Sequence, residues 1–313
     1  MDLDQEALLQ QLSDADPSVR QIAIMRLEDV ADEASVEPLI RSLGDDDAVV
    51  RRLAVNLLEE IGDARAVPGI IRRLQDEEAE VRDAAATALR EFRGDEAAAA
   101  LIAAIADPEP EVRRGVIIGL RELKDARAVA PLLVALGDVS APVRREAVIT
   151  LAYMRLADSV EPLQRCLRDP DESVRRVAVG ALAFFNGPAL LDDFTRALGD
   201  SDWRVRAEAA IVLGRSGLAG AIEPLLGALD DGYWQVQKES IASLGRLFAA
   251  AAVPKLIGFL HSPTPDLRRA AAYALGEIGA TAALAPLAAL ASDPDIEVRK
   301  ASQRALEAIQ QKA

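Results

Sequence analysis

Aspartate and arginine recur along the chain six residues apart, a combination that can transfer protons or hold a carboxylate in an enzyme. The first such pair is Asp14 and Arg20. The aspartates stand at Asp14, Asp45, Asp76, Asp107, Asp138, Asp169, Asp200, Asp231 and Asp293, and Ser262 is the exception. An active site needs one such carboxylate rather than nine. The repetition therefore predicts a structural ladder that caps helix starts and ties loops of neighbouring repeats together.

Cysteine and histidine, which commonly bind metals or carry nucleophilic catalysis, are scarce. The chain has one cysteine, Cys166, and one histidine, His261, which excludes an intramolecular disulfide, a thiolate zinc cluster and a multi-histidine metal site. Cys166 replaces alanine or serine at its position in the pattern, which predicts a small core residue. We expect no enzymatic activity, no metal and no cofactor.

The two tryptophans, Trp203 and Trp234, occupy equivalent positions of successive repeats, and Tyr233 adjoins the second. The same position in other repeats usually holds Pro, Ala or Glu, and Gln237 replaces the ladder arginine here. Paired exposed aromatic residues typically anchor a protein partner. The sequence thus predicts a protein-binding surface at Trp203, Tyr233 and Trp234. The alternative is that each indole packs over the start of its own helix.

A second column changes character in the middle of the chain. It reads Asp29, Glu60, Glu91, Glu122, Tyr153, Phe184, Arg215, Arg246 and Glu277. Tyr153 and Phe184 offer apolar surface to a partner, and Arg215 and Arg246 offer guanidinium groups to its carboxylates. We therefore predict that these four residues bind protein. The alternative is that the arginines stack on the aromatic rings.

Arginines form a third candidate surface. Arg41, Arg72, Arg165 and Arg196 share one column, on helices that usually line the inner curve of a repeat protein. A concave groove of this kind can hold an acidic helix or tail. Ordinary solvated arginines are the alternative.

All these columns follow one 31-residue period. The apolar residue before the ladder arginine returns without insertion at Val19, Val50, Val81, Val112, Val143, Val174, Val205, Val236, Leu267 and Val298. A leucine stands eight residues after each of these positions, and a small residue usually stands midway. Spacings of four place the three residues on one side of a helix. The small residue lets a neighbouring helix approach closely.

A second apolar column predicts another helix in each repeat. It reads Leu39, Ile70, Leu101, Leu132, Leu163, Phe194, Leu225, Leu256 and Leu287. Gly62, Gly217 and Gly279 are suitable stops for the first helix. Prolines such as Pro38 and Pro131 suit the first turn of the second helix, where a missing N–H costs little.

Helical hairpins of this kind bury their apolar faces only by stacking on their neighbours. The predicted fold is therefore all-α: a right-handed α-solenoid, or superhelix, of 31-residue helical hairpins. We predict one domain over 1–313, with an N-terminal half-repeat at 1–15, nine two-helix repeats at 16–294 and a C-terminal half-repeat at 295–313.

Charge and hydropathy narrow the range of partners. Lys and Arg total 36 against 51 Asp and Glu, a formal charge of -15, which opposes binding to phosphate backbones. The N-terminus is acidic, unlike a signal peptide, and no apolar run approaches the ~18 residues of a membrane span. We expect a cytoplasmic, acidic protein that binds neither nucleic acid nor membranes.

Three segments carry a family resemblance. Asp-Pro-Asp-Glu-Ser-Val-Arg-Arg (169–176), Ala-Leu-Gly-Glu-Ile-Gly (274–279) and Asp-Ala-Arg-Ala-Val-Ala-Pro-Leu-Leu (125–133) resemble the phycobilisome-lyase-like (E-Z type) subclass of HEAT repeats. The resemblance covers essentially the whole chain and implies a HEAT-like fold. The class includes bilin lyase subunits, deoxyhypusine hydroxylase and bacterial scaffold proteins. Deoxyhypusine hydroxylase needs paired His-Glu motifs, whereas the lone His261 precedes Ser262, which excludes that activity.

Two functions from different classes remain. The first is a non-catalytic scaffold, adaptor or assembly factor that binds another protein. The alternative is a bilin (chromophore) lyase subunit or cofactor-maturation chaperone that acts on a client protein. The sequence determines neither the partner nor the oligomeric state.

Overall fold

Helices alternate in length along the chain, and each 31-residue repeat contains a longer and a shorter one. The computed structural model describes residues 3–185 and 187–312. The described residues contain helices, turns and loops, with no strand among them. Contacts divide the chain into two compact units, Met1–Ser159 and Val160–Ala313, and each is described by itself.

The first unit holds helices α1 to α10. Their bounds are α1 Leu3–Gln11, α2 Pro17–Leu27, α3 Glu33–Ser42, α4 Ala48–Ile61, α5 Val67–Arg73, α6 Ala79–Ala88, α7 Asp95–Ala103, α8 Pro110–Leu120, α9 Val129–Ala135 and α10 Ala141–Met154. Even-numbered helices pack against the next even-numbered helix, as α2 does on α4 and α4 on α6. Each odd-numbered helix packs on the even-numbered helix that follows it, as α3 does on α4.

The second unit continues the pattern with α11 to α20. Their bounds are α11 Val160–Cys166, α12 Glu172–Leu182, α13 Leu191–Ala197, α14 Trp203–Arg215, α15 Ile222–Ala228, α16 Trp234–Arg246, α17 Val253–Phe259, α18 Pro265–Ile278, α19 Leu284–Ala289 and α20 Ile296–Lys312. Here α14, α16, α18 and α20 form a continuous row in which each helix packs on the next.

The predicted apolar stripe forms the core of each unit. In α4, Val50, Ala54 and Leu58 are completely buried. The leucine column is buried from Leu27 to Leu275, whereas Leu306, on the last described helix, is only half-buried. Burial of a leucine side chain contributes about 1.5–3 kcal/mol, so the repeated column accounts for much of the stability of the fold.

Small residues bring the long helices of the second unit close together. A Cβ atom on Gly245 would come within 2.8 Å of the Ala274 side chain on α18, and one on Gly276 within 3.1 Å of Ala305 on α20. Gly214 approaches Ser243 in the same way. The three glycines occupy the same position in successive repeats, so the close approach recurs along the row.

The predicted glycine stops are confirmed. Gly62 and Gly279 are left-handed caps of α4 and α18, with φ of 73° and 78°, and Gly217 has φ of 68° beyond the end of α14. Lys124 and Phe248 occupy the same column and are also left-handed, with φ of 49° and 51°. The repeat therefore imposes a conformation that favours glycine even where another residue is present.

The proline prediction holds for Pro131 but is wrong for Pro38. Pro131 is the third residue of α9, after a 3₁₀ turn at Ala126–Ala128. Pro38 is the sixth residue of α3. A capping box between Asp32 and Ser35 starts α3 earlier, so the segment that elsewhere forms a 3₁₀ turn is α-helical here.

The all-α prediction of two helices per repeat is confirmed. The prediction of one domain over 1–313, with half-repeats at 1–15 and 295–313, stays a prediction.

Candidate interaction site

Arginines of the predicted ladder link neighbouring repeats. Within each unit, most of them form an ion pair with the ladder aspartate of the next repeat, and we call each such pair a rung. Rungs within the units include Arg20–Asp45, Arg51–Asp76, Arg113–Asp138, Arg175–Asp200, Arg206–Asp231 and Arg268–Asp293, with closest N–O distances of 2.6 to 2.8 Å. The ladder thus ties the loops of neighbouring repeats together, as the sequence predicts.

The same arginines also bind their own loop. Arg206 donates from Nη1 to the carbonyl oxygens of Asp200, six residues earlier, at 2.8 Å and of Ser201 at 3.2 Å. Its Nε and Nη2 donate to the two carboxylate oxygens of Asp231 at 2.6 and 3.0 Å. The planar guanidinium therefore holds two loops at once. Arg82 differs, because it bonds only to the carbonyl oxygens of Asp76 and Glu77 among the described residues.

The ladder aspartates cap turns rather than helices, which corrects one part of the prediction. Asp45 accepts a hydrogen bond from the backbone N–H of Asp47 at 2.9 Å, and it is Asp47 that caps α4 by accepting from Val50 N–H. The helix cap lies two residues beyond the ladder residue. At Asp293, the hydrogen bonds from Arg268 hold the pKa of the carboxyl below its ordinary value, against the effect of burial.

At one position of the ladder, both the arginine and the aspartate are replaced. Gln237 stands where the arginine belongs, and Ser262 stands where the aspartate of the next repeat belongs. Gln237 donates from Nε2 to the Asp231 carbonyl oxygen at 2.8 Å. Ser262 Oγ accepts from Thr264 N–H at 3.2 Å. We call Gln237 and Ser262 the open rung.

The predicted aromatic residues lie at the starts of α14 and α16. Trp203 and Tyr233 stack with ring centroids 6.0 Å apart and 13° between their planes. The guanidinium of Arg204 lies 4.8 Å from the Trp203 ring, and that of Arg206 lies 5.4 Å from the Tyr233 ring. Tyr233 is 49% exposed and Trp234 is 40% exposed, whereas Trp203 is half-buried.

We call Trp203, Tyr233 and Trp234 the aromatic edge. The stacked pair is Trp203 with Tyr233, so the indole of Trp203 packs on the next repeat. Trp234 lines an open pocket of about 600 Å³ together with Gln237, Ser262 and Lys255. Trp203 and Tyr233 are therefore in contact across successive repeats, and Trp234, next to Tyr233 in the chain, lines the open pocket.

The second predicted group lies elsewhere. Phe184 follows the end of α12, and Arg215 and Arg246 are the last residues of α14 and α16. Trp203 and Arg215 are therefore at opposite ends of one helix, about 18 Å apart at 1.5 Å per residue. Tyr153 is in the first unit, where its hydroxyl lies 3.4 Å from Glu122 Oε2 and Lys124 Nζ lies 4.8 Å from its ring.

Phe184 and Arg215 line one pocket of about 450 Å³, together with Glu208. Phe184 is 58% exposed, whereas Glu208 is half-buried. Burial raises the pKa of Glu208, and the attraction of Arg176 and Arg215 only partly offsets this. The sequence does not single out Glu208 as a site residue, since a charged residue on a helix carries no signal that it is half-buried.

The predicted arginine column occupies exposed positions of the shorter helices. Arg165 on α11 and Arg196 on α13 line a pocket of about 340 Å³ in the second unit. Arg196 pairs with Asp193 at 3.1 Å. Arg41 on α3 and Arg72 on α5 are exposed in the first unit.

Other sequence predictions concern chemistry away from these surfaces. Cys166 is 6% exposed, which confirms it as a core residue. Among the described residues, no group of three or more His, Cys, Asp or Glu is placed to hold a metal ion. No described helix combines the length and apolar character needed to cross a membrane.

A family model described as HEAT repeats matches almost all of the chain. The matches overlap and cover residues 6–90, 41–115, 67–152, 96–179, 129–214, 159–245 and 222–307. They confirm the predicted HEAT repeats and, with the helix pattern, the α-solenoid fold. The phycobilisome-lyase-like subclass stays a prediction. A search of curated proteins gave no match.

Solved structures show the same fold at low identity. An engineered protein is 24% identical, with 99% of each chain covered and a TM-score of 0.51. YibA of E. coli is 19% identical over 95% of this chain and 98% of its own, with a TM-score of 0.56. Kap95p is 14% identical with a TM-score of 0.70. The alignment covers 99% of this chain but 50% of Kap95p, so the chain spans half the length of that protein.

Proposed function

Because this chain belongs to the HEAT-repeat family, we propose that it is a non-catalytic scaffold or adaptor that binds another protein. The aromatic edge is the observation that carries this proposal. Kap95p, whose fold is similar, binds RanGDP, which is consistent with a protein partner here. The proposal assigns no reaction to the chain.

The aromatic edge has the properties of a binding anchor. Tyrosine and tryptophan dominate the energetics of protein interfaces because they bury a large area at a small cost in side-chain entropy. Only 4% of this chain is aromatic, yet three aromatic residues lie at the starts of two successive long helices. Stacking of Trp203 on Tyr233 orders both rings before a partner arrives, which lowers the cost of binding.

The proposal is tested by crosslinking at the aromatic edge. A photoreactive phenylalanine replaces Tyr233, and its crosslinked product from a lysate of the native host is identified by mass spectrometry. The identified partner is then purified and its affinity is measured by calorimetry. We expect Trp203→Ala plus Trp234→Ala to weaken binding at least 30-fold, because loss of a hot-spot residue costs about 2 kcal/mol or more.

Phe248→Ala is the matched control. Phe248 is 65% exposed and lies beyond the opposite end of α16 from Trp234. Phe248→Ala should leave the affinity unchanged, because it removes an exposed aromatic ring that lies away from the proposed surface. Unchanged affinity in the double variant, with an intact helical circular dichroism spectrum, would show that the aromatic edge is not the binding surface.

A further inference from the structure

The two tryptophans occupy equivalent positions, but their surroundings differ at every residue that covers the ring. Arg204 lies over the Trp203 ring. Arg206 pairs with Asp231 and lies over the ring of Tyr233, which stacks on Trp203. One repeat later, the same positions hold Gln235, Gln237, Ser262 and Thr264. The tryptophan is retained, whereas each residue around it is smaller or has lost its charge.

The smaller and uncharged residues around Trp234 leave an open pocket beside its ring. Trp234, Gln237, Ser262 and Thr264 line the open pocket of about 600 Å³. No cation or aromatic ring of the described residues stacks on Trp234, in contrast to Trp203. The pocket therefore lies where the neighbouring repeat holds a tyrosine ring, a guanidinium and a carboxylate.

Two acceptors beside the pocket lack the donor that the neighbouring repeat supplies. In the filled rung, Arg206 donates to the carbonyl oxygens of both Asp200 and Ser201. In the open rung, Gln237 donates only to Asp231, so the Gly232 carbonyl oxygen receives no equivalent bond. The amide oxygen of Gln237 also receives no hydrogen bond from the described residues.

Lys255 and His261 both line the pocket, and the ammonium group of Lys255 is already engaged. Lys255 Nζ lies 2.8 Å from Asp230 Oδ2 and 3.3 Å from the Leu226 carbonyl oxygen. This ion pair balances the charge of Asp230 at the rim. An incoming group therefore meets the partly exposed indole of Trp234, the two open acceptors and the imidazole of His261, with no carboxylate in the open rung itself.

We infer that the pocket at Trp234 and the open rung binds the guanidinium of an arginine side chain from a partner protein. A guanidinium is planar, stacks on an indole and carries several donors in a fixed fork. It matches the group that the neighbouring repeat supplies from its own chain. The inference rests on the proposed function, since the arginine belongs to the partner that the aromatic edge binds.

The test uses the full chain and short peptides with a single varied residue. Acetylated, amidated Gly-Ser-Xaa-Ser-Gly peptides carry arginine, lysine, citrulline or glutamate at Xaa. Binding is followed by the ¹H–¹⁵N resonance of the Trp234 indole, which is assigned by its loss in Trp234→Phe. We expect the arginine peptide to shift this resonance with an affinity at least threefold higher than the lysine peptide, and the citrulline and glutamate peptides to cause no saturable shift.

Filling the rung from within the chain provides the second arm. Gln237→Arg combined with Ser262→Asp should form an ion pair like Arg206–Asp231 and weaken the response to the arginine peptide at least tenfold. The same variant should raise the midpoint of thermal unfolding. If it does not fold, Thr264→Tyr places a ring against Trp234 and should weaken the response in the same way. Phe248→Ala should respond as the wild type does.

Three results would overturn the inference: equal shifts with the arginine and citrulline peptides, a saturable shift with the glutamate peptide, or a full response in the folded filled-rung variant.

Failure of the arginine site can be distinguished from failure of the proposed scaffold function. If Trp203→Ala plus Trp234→Ala abolishes partner binding while the arginine peptide never shifts Trp234, the scaffold stands and the arginine site fails. If the arginine peptide binds but the aromatic edge captures no partner, the site stands and the scaffold proposal fails.

Discussion

Single residues decide how the loops of neighbouring repeats are joined. The guanidinium of Arg268 is 11% exposed and the carboxylate of Asp293 is 5% exposed, with 2.8 Å between them. Removal of one partner from such a buried pair leaves an uncompensated charge, which costs about 3–5 kcal/mol. The open rung avoids this cost because both charges are absent together.

Glu208 is a different case, since its carboxyl is half-buried without an ion pair or hydrogen bond to any described residue. Burial disfavours the charged form and raises its pKa, although Arg176 and Arg215 attract the charge. Glu208 lines the pocket with Phe184 and Arg215. The folded protein therefore binds the Glu208 proton more tightly than the unfolded chain does.

We predict that Glu208→Gln raises stability at neutral pH by about 0.5 kcal/mol, a small gain because solvent still screens a half-buried carboxylate. A raised folded pKa means that the contribution of Glu208 to stability is fully present below the unfolded pKa of about 4.3 and is lost as pH rises through the folded value. The gain in the variant should therefore vanish below about pH 4. Chemical denaturation of both proteins from acidic to neutral pH measures the difference in their free energies of unfolding. A difference that is independent of pH would contradict the prediction.

At the scale of helices and turns, the repeat imposes one backbone conformation after each long helix. Gly62, Gly217 and Gly279 adopt it without strain, whereas Phe248 adopts it with φ of 51°. A residue with a Cβ atom pays about 1–2 kcal/mol in the left-handed region. The fold tolerates this because the flanking helices are held by their buried stripes.

We predict that Phe248→Gly raises the free energy of unfolding by about 0.5–1 kcal/mol, because glycine relieves the left-handed strain. The gain is reduced by loss of the contact with Lys312 Nζ, which lies 5.6 Å from the ring centroid. Phe248→Ala is the control, since it loses the same contact but keeps the strain and should not be stabilised. Equal stability of the two variants would argue against strain at this position.

At the scale of the whole molecule, stability is distributed over repeats that contact mainly their neighbours. In the first unit α4 packs on α2, α3 and α6, and in the second unit α16 packs on α14, α15 and α18. Leu58 of α4 and Leu244 of α16 are completely buried equivalents in the two units. They provide a matched pair for testing how far a local defect spreads.

We predict that Leu58→Ala and Leu244→Ala each cost about 2–5 kcal/mol, because each leaves a cavity in a packed stripe. Hydrogen–deuterium exchange with mass spectrometry should show faster exchange chiefly in the altered helix and its packing neighbours. Leu58→Ala should thus affect α4 with α2, α3 and α6, and Leu244→Ala should affect α16 with α14, α15 and α18. Uniformly faster exchange across the whole chain in both variants would indicate one cooperative unit instead.

Much of the fold follows from the sequence because every repeat meets nearly the same neighbours. The columns of Val, Ala and Leu therefore predict the buried stripe residue by residue, and glycine marks the left-handed stops. The exceptions have local causes: the capping box at Asp32 and Ser35 lengthens α3 and places Pro38 inside it. The sequence groups Trp203 with Arg215 as candidate binding residues, although helix geometry alone separates them by about 18 Å.

The sequence by itself determined the period, the helix pairs and the positions that break the pattern, since these depend on which residue types recur in every repeat. Only the tertiary structure decided that Arg206 pairs with Asp231 of the next repeat rather than with Asp200 of its own, whose carbonyl it binds instead. The period allows both pairings, because spacing along a chain does not specify how the loops of successive repeats face each other. For the same reason, the sequence shows Gln237 and Ser262 as two separate exceptions to the pattern. The structure shows that they are the two partners of one replaced ion pair.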